Sequence, residues 1–255
     1  RRSKSGRMSV TPEGALVIAT AQRIENELDN CTREVAALRD GLSGVVTLGV
    51  VSTGKYFAPG LVARLKKAFP DIRVVLKIGN RDQTIDALES REIQLAIMGR
   101  PPRKPEVVAE VVGAHPHVMI AAPDHPLANR SDITPDRLLS ETFIAREEGS
   151  GTRILMSRYL DRIGDGMPYE TIEMGSNETI KQAVIAGLGI ALISLHTVAD
   201  ELSQGRLTTL AFGGLPIERQ WYLLRRSDTE PSASAERIRK SISDMSGCFL
   251  PQLDL

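Results

Sequence analysis

The sequence predicts an α/β protein: two similar open-sheet subdomains joined by two crossover strands and preceded by one long helix. Three observations predict it. Apolar or small residues from Val17 to Leu42 recur at alternating four- and three-residue steps. The order strand, helix, strand, helix, strand then occurs twice. The two repeats also carry matching segments at one constant offset, from Ile85 to Ile180 and from Ala96 to Ala191.

The helix comes first. Thr11 can cap it, and Pro12 suits the first helical position, where a missing N–H costs nothing. Its seam is Val17, Ala21, Ile24, Leu28, Cys31, Val35, Leu38 and Leu42, a heptad spacing narrower than the stripe of a helix lying on its own core. Such a seam fits a partner helix, so residues 11–43 are expected to dimerise the chain. Gly41 and Gly44 punctuate its end.

The first repeat opens on Val45–Val51, an apolar, β-branched run of the kind buried on both faces of a parallel sheet. A helix from Phe57 to Phe69 stops at Pro70, a strand runs from Ile72 to Ile78, a helix from Gln83 to Ser90, and a strand from Leu95 to Met98. The second repeat has strands at Thr142–Ala145, Tyr169–Met174 and Ile190–Ile193, with helices at Arg153–Ile163 and Glu178–Ala186 between them. Val118–Ala122 and Gln220–Leu224 read as two crossovers, and a last helix spans Ala233–Met245. Two α/β units joined by two extended segments describe a hinged clamp with a cleft.

Composition removes other classes. With 42% hydrophobic and 25% charged residues in 255, collagen-like and disordered chains are excluded. Lys+Arg and Asp+Glu are 32 each, so the net charge is zero and no nucleic-acid-coating surface covers the whole chain. Cys31 and Cys248 make neither a disulfide framework nor a zinc site and suit a reducing cytoplasm. No apolar run nears the roughly 20 residues of a membrane span. The basic start Arg1–Arg7 lacks the apolar segment of a signal peptide.

Ligands of open α/β sheets bind beyond the carboxyl ends of the strands, where helix N-termini offer free N–H groups. Here those places hold Ser52, Thr53, Gly54 and Lys55 in one half, and Gly149, Ser150, Gly151, Thr152 and Arg153 in the other. Asn80, Ser176 and Asn177 open later helices, and Arg100 follows the third strand. Hydroxyl donors with Lys55, Arg100 and Arg153 suit a small anion, phosphate or carboxylate. Gly49–Lys55 matches part of a phosphate-binding P-loop, but Tyr56 replaces the hydroxyl residue that would hold magnesium, and Gly49 falls inside the strand. His115, His117, His125 and His196 form no ligand set, so no metal is expected; no nucleophile elbow or zinc-protease motif is present, so neither a catalytic residue nor a cofactor is expected.

Arg7–Gly14 with its Val10-Thr11-Pro12-Glu13-Gly14, the long helix, and the duplicated unit together resemble the LysR-type transcriptional regulators. His125–Ala128 and Gly187–Leu192 match that family's patterns. Gly49–Pro59 and Leu95–Pro102 resemble, within the family, the regulators of Rubisco and Calvin-cycle operons.

The resemblance implies a winged helix-turn-helix ahead of Thr11, with residues 1–10 as the end of its wing, and so a piece cut from a longer regulator. It implies subdomains of periplasmic-binding-protein type: 44–121 with 225–255 as the first, 122–224 as the second. It further implies a homodimer, tetrameric in the parent protein, in the cytoplasm. Operator DNA would be bound only through the helix-turn-helix, and no membrane is involved. The implied effector is a phosphorylated metabolite such as ribulose bisphosphate or another sugar phosphate, which the hydroxyl- and base-rich cleft would accommodate. A sensor rather than an enzyme is expected. A solute-binding protein for a small anion is the alternative, opposed by the heptad helix and the absence of an export signal.

Overall fold

The computed structural model describes residues 10–40 and 43–251. Helix α1 (Pro12–Asp40) is 29 residues, roughly 44 Å, long. Thr11 accepts the Gly14 N–H at 3.0 Å, as a capping residue should. The helix has two unlike faces. Thr20, Asn26, Asn30 and Arg33 are half-buried against the body, while Val17, Ala21, Ile24, Leu28, Cys31 and Val35 are exposed; Leu28 keeps 64% of its surface. Among the described residues, therefore, the heptad seam covers none of the chain's own core. Leu42 and the side chain of Leu38 lie outside the described residues, as do positions 1–9 of the expected wing remnant.

β1 (Gly44–Val51) leads through a 3-10 turn (Ser52–Tyr56) into α2 (Ala58–Ala68), β2 (Ile72–Gly79), α3 (Arg81–Glu89), β3 (Leu95–Met98) and β4 (Val107–Ala114). The chain then crosses to β5 (His117–Ala121), α4 (Pro135–Leu139), β6 (Thr142–Arg146), α5 (Gly151–Gly164), β7 (Glu170–Met174), α6 (Asn177–Ile185), β8 (Ala191–Ser194), α7 (Leu195–Ser203) and β9 (Thr208–Thr209). It returns through β10 (Gln220–Arg226) to α8 (Ala233–Asp244).

The first sheet has the order β2-β1-β3-β10-β4, with β10 antiparallel. The second is β8-β5-β9, and bonds between Thr142, Ile144 and Ile190 join it to the β6-β7 pair. Read as β7-β6-β8-β5-β9, it repeats the first sheet strand for strand, which is the duplication visible in the sequence.

One expectation needs correction. The strands at 118–122 and 220–224 are not free crossovers, and the breaks at 121/122 and 224/225 are misplaced. β5 is the antiparallel strand of the second sheet and β10 that of the first. The chain crosses earlier, at Ala114–His117 and Ile217–Gln220, where His117 and Ile217 exchange backbone hydrogen bonds. Apolar alternation marks a strand but says nothing about which sheet receives it.

Val46, Leu48, Val50, Leu61, Leu65, Trp221 and Ile238 form the first core, and Phe143, Met156, Leu160 and Leu192 part of the second. Gly49 belongs to that packing. A Cβ there would lie 2.3 Å from the Ile93 side chain, so its smallness serves strand contact and not a phosphate.

Leu28→Lys with Val35→Lys tests the seam. Both side chains are solvent-exposed in one copy, so the double variant should fold and melt like wild type. Charges facing each other across a paired seam are costly, so sedimentation should show the helix-mediated dimer falling to monomer, and an unchanged mass would refute the seam.

Candidate functional site

A cleft of about 570 Å³ opens between the subdomains, with the two crossovers at its floor. From the first subdomain it is lined by Ser52 and Thr53, by Arg81 and Ile85 of α3, and by the segment Met98–Lys104. The crossovers contribute His115, His117 and Arg219. The second subdomain adds Ser150, Gly151, Thr152, Ile154, Leu155 and Arg158. Six of these side chains are cationic (Arg81, Arg100, Arg103, Lys104, Arg158 and Arg219), and no carboxylate is among them. In a chain whose charges cancel, that segregation is the site's dominant electrostatic fact.

Local structure produces the arrangement. The β1 strand ends as it reaches the cleft, and the 3-10 turn brings Ser52 and Thr53 to the rim. Ser150 precedes α5, so Gly151 and Thr152 present the helix's free N–H groups. Along α5, Thr152, Leu155 and Arg158 fall on one face, and Arg158 lies roughly 9 Å beyond Thr152. The hydroxyls of Thr53, Ser150 and Thr152 bond no protein group among the described residues, and all three residues are buried at the cleft wall. Burial holds the Arg81 pKa below its ordinary value, and nearby Arg100 and Arg158 push the same way against Asp82.

The halves are interlocked beside the cleft. Arg146, 3% exposed, gives two 2.7 Å bonds to the Glu147 carboxylate, one of 2.6 Å to Asn177 Oδ1 and one of 3.1 Å to Ser52 Oγ across the divide. Glu178 of α6 accepts the Tyr56 hydroxyl at 2.5 Å and pairs with Lys55 at 3.2 Å and Lys181 at 3.1 Å. Burial raises the Glu178 pKa, but the hydrogen bonds from Tyr56, Lys181 and Lys55 outweigh it and hold the carboxyl at about 2. The Asp82 N–H also reaches the Gly149 carbonyl at 3.3 Å.

Of the thirteen expected site residues, the structure brings Ser52, Thr53, Arg100, Ser150, Gly151 and Thr152 together at the cleft. The other seven are engaged elsewhere. Gly54 is buried where a Cβ would strike Val50 and Phe57. Lys55 pairs with Glu178. Asn80 forms a reciprocal capping box with Gln83. Gly149, at a φ of +80°, turns the chain against Asn80 and Asp82. Arg153 bonds Glu173 and the Arg146 carbonyl. Ser176 caps α6, and Asn177 is held by Arg146. Spacing alone missed Arg81, Arg103, Lys104, Arg158 and Arg219. The cluster Arg100–Lys104 and the Arg158 position on the Thr152 face were signals present in the sequence.

The crossover floor is a ring stack. His115 lies 3.7 Å from Trp221, the indole Nε1–H of Trp221 donates to His196 Nδ1 at 3.1 Å, and His117 Nδ1 meets the His115 carbonyl at 3.1 Å. Burial drives all three imidazoles toward the neutral form: His117 falls to about 3, His196 to about 4, and His115 well below its usual value, with His117, His196 and Arg219 adding to the effect on His115.

The family model described as the LysR substrate binding domain matches residues 39–246. The chain is 53% identical over 251 residues to the HTH-type transcriptional regulator CbbR of Cereibacter sphaeroides, covering 98% of this chain and 81% of that protein. It is 39% identical over 233 residues to the RuBisCO operon transcriptional regulator of Allochromatium vinosum, covering 91% and 77%. Among solved structures, the Synechocystis PCC6803 CcmR regulatory domain in complex with 2-PG aligns with a TM-score of 0.75 and 33% identity over 79% of this chain and 97% of that one. The Corynebacterium glutamicum OxyR C206 mutant, 21% identical, shares the fold with a TM-score of 0.70 over 94% and 76%.

The stack predicts acid sensitivity. The folded-state histidine pKa values lie below the unfolded value near 6.5, so the unfolded chain binds more protons. Stability from the neutral imidazoles is complete above about pH 6.5 and is lost as the pH falls through it, by about 1.4 kcal/mol per histidine per pH unit. Carboxylates such as Glu178 act only below about pH 4.5. The melting midpoint should therefore fall by roughly 5–10 °C between pH 6.5 and 5.5, and less in His117→Gln. A flat midpoint over that window would contradict it.

Proposed function

The chain belongs to the LysR-type family of transcriptional regulators and is a regulator of RuBisCO and CO2-fixation operons, and from that premise we propose that it is the dimerising, effector-sensing part, with a small phosphorylated metabolite bound between Ser52–Thr53 and the start of α5. The observation that carries this reading is the cleft's charge: among the described residues, six lining cations and no lining carboxylate, beside three hydroxyls that bond no protein group. A phosphoryl group needs several donors and positive charge, and both converge there. Ribulose bisphosphate is the proposed physiological effector. The 2-PG of the CcmR complex is a second candidate of the same chemistry. The cytoplasm is the proposed location, the homodimer joined through α1 the proposed assembly with a tetramer in the parent protein, and operator DNA the proposed target of a helix-turn-helix of the kind the relatives are named for. Binding, not turnover, is the proposed role.

A ligand held from both sides favours the closed clamp only by the difference in its affinity for closed and open forms. The contacts of Ser52, Tyr56 and Lys55 with the second subdomain already favour closure, so the ligand adds to an existing bias. In this scheme Thr53 and Thr152 donate hydrogen bonds, while Arg100 and Arg158 match the charge.

Calorimetric titration with 2-phosphoglycolate and ribulose bisphosphate tests the assignment. Thr53→Val removes one donor at constant shape and should cost about 1.5–3 kcal/mol, and Arg158→Ala a similar amount. Arg153→Ala, which loses an exposed pair with Glu173, should bind within a factor of two of wild type. Unchanged binding by both Thr53→Val and Arg158→Ala would remove the cleft from the account.

A further inference from the structure

Helix α3 touches two places that matter. Its first residue, Arg81, lines the cleft, and one turn later Ile85 does too. The two residues just past its end meet the long helix: Asn26 Nδ2 donates to the Ser90 carbonyl at 3.3 Å and Asn30 Nδ2 to the Arg91 carbonyl at 3.1 Å. Arg91 itself pairs with Glu27 at 2.6 Å. Nine helical residues span roughly 13 Å between these ends.

Each end has an unusual feature. The half-buried Arg81 guanidinium bonds only neutral groups, the Arg100 carbonyl at 2.9 Å and the Met98 sulfur at 4.0 Å, and has no ion pair among the described residues. Asp82 beside it faces Gly149 instead. Arg91 holds a φ of +62°, a left-handed position just past a helix end that favours glycine. A side chain there at a conformational cost is one whose guanidinium is in use: its shorter pair is with Glu27 on α1, and a longer one of 3.9 Å reaches Asp228 beyond β10.

We propose that Arg81 is a further effector-contacting residue and that α3 couples it to the linker helix through the joint of Arg91 with Asn26, Glu27 and Asn30. Resting on the reading of the cleft as an effector site, the coupling works as follows. An anion neutralises the Arg81, Arg100 and Arg158 cluster and draws the α3 N-terminus toward it. The rigid helix shifts Ser90 and Arg91, and the three polar residues of α1 follow because their bonds end on those groups. The joint is polar and small, so it can transmit a displacement without forming part of either core.

The test measures binding and transmission separately on the full chain. With Cys31→Ser and Cys248→Ser as background, spin labels at Gln22→Cys on α1 and Arg73→Cys on β2, diluted with unlabelled chain, report the α1 position by pulsed EPR. Saturating 2-phosphoglycolate should shift that distance in the otherwise unaltered chain. Arg81→Gln should weaken binding by about 10- to 100-fold and need correspondingly more ligand for the same shift. Asn26→Ala/Asn30→Ala should bind within a factor of two of wild type and lose the shift. Retention of the full shift in that double variant, wild-type affinity in Arg81→Gln, or no shift in the unaltered chain with ligand bound each overturns the proposal alone. Failure of the unaltered chain to bind either 2-phosphoglycolate or ribulose bisphosphate takes down the effector reading, and this coupling with it.

Discussion

Like charges gathered on one cleft, with only Asp82 beside Arg81 as a nearby counter-charge among the described residues, are the constraint on which this molecule turns. Arg81, Arg100, Arg103, Lys104, Arg158 and Arg219 face one cleft from three parts of the fold, with no carboxylate among the described lining residues. Their mutual repulsion is tolerable because the cleft is open to water, and it disappears when a multiply charged anion enters. In the proposed reading the ligand is the missing partner of a cluster that the two subdomains assemble only by standing side by side. Neither subdomain holds enough of the set alone: four cations belong to the first, Arg158 to the second and Arg219 to a crossover.

The contacts around the cleft set the state on which a ligand acts. Ser52, Lys55 and Tyr56 sit within one 3-10 turn of the first subdomain, and all three meet partners on the second. The same turn presents Thr53 to the cleft. Inter-subdomain contact and the proposed ligand contact therefore fall within five consecutive residues, which is why a ligand bound there would bias the clamp. The crossovers beneath are stiffened by the exchange of backbone bonds between His117 and Ile217 and by the stack of His115 on Trp221.

Most of the architecture was legible because local pattern decides it. The β-branched Val45–Val51, the caps at Thr11 and Ser176, and the echo of Gly79–Ile85 in Gly175–Ile180 each report short-range physics. The crossovers were not legible, since β5 and β10 choose their sheets by pairing with strands far away in sequence. The site divided in the same way. Ser52, Thr53, Ser150, Gly151 and Thr152 follow from where helices begin. Lys55 and Arg153 are equally well placed in sequence, but Glu178 and Glu173 capture them, and those partners come from other elements. Arg219 could not be found by spacing at all, because only the return crossover brings it to the floor.

A crystal structure of the chain with 2-phosphoglycolate tests the central claim most directly. The account predicts the phosphoryl group between the Ser52–Thr53 turn and the α5 N-terminus, within hydrogen-bond reach of Thr53 and Thr152 and facing Arg81 and Arg158. A phosphoryl group bound outside the cleft, or touching one subdomain only, would contradict it.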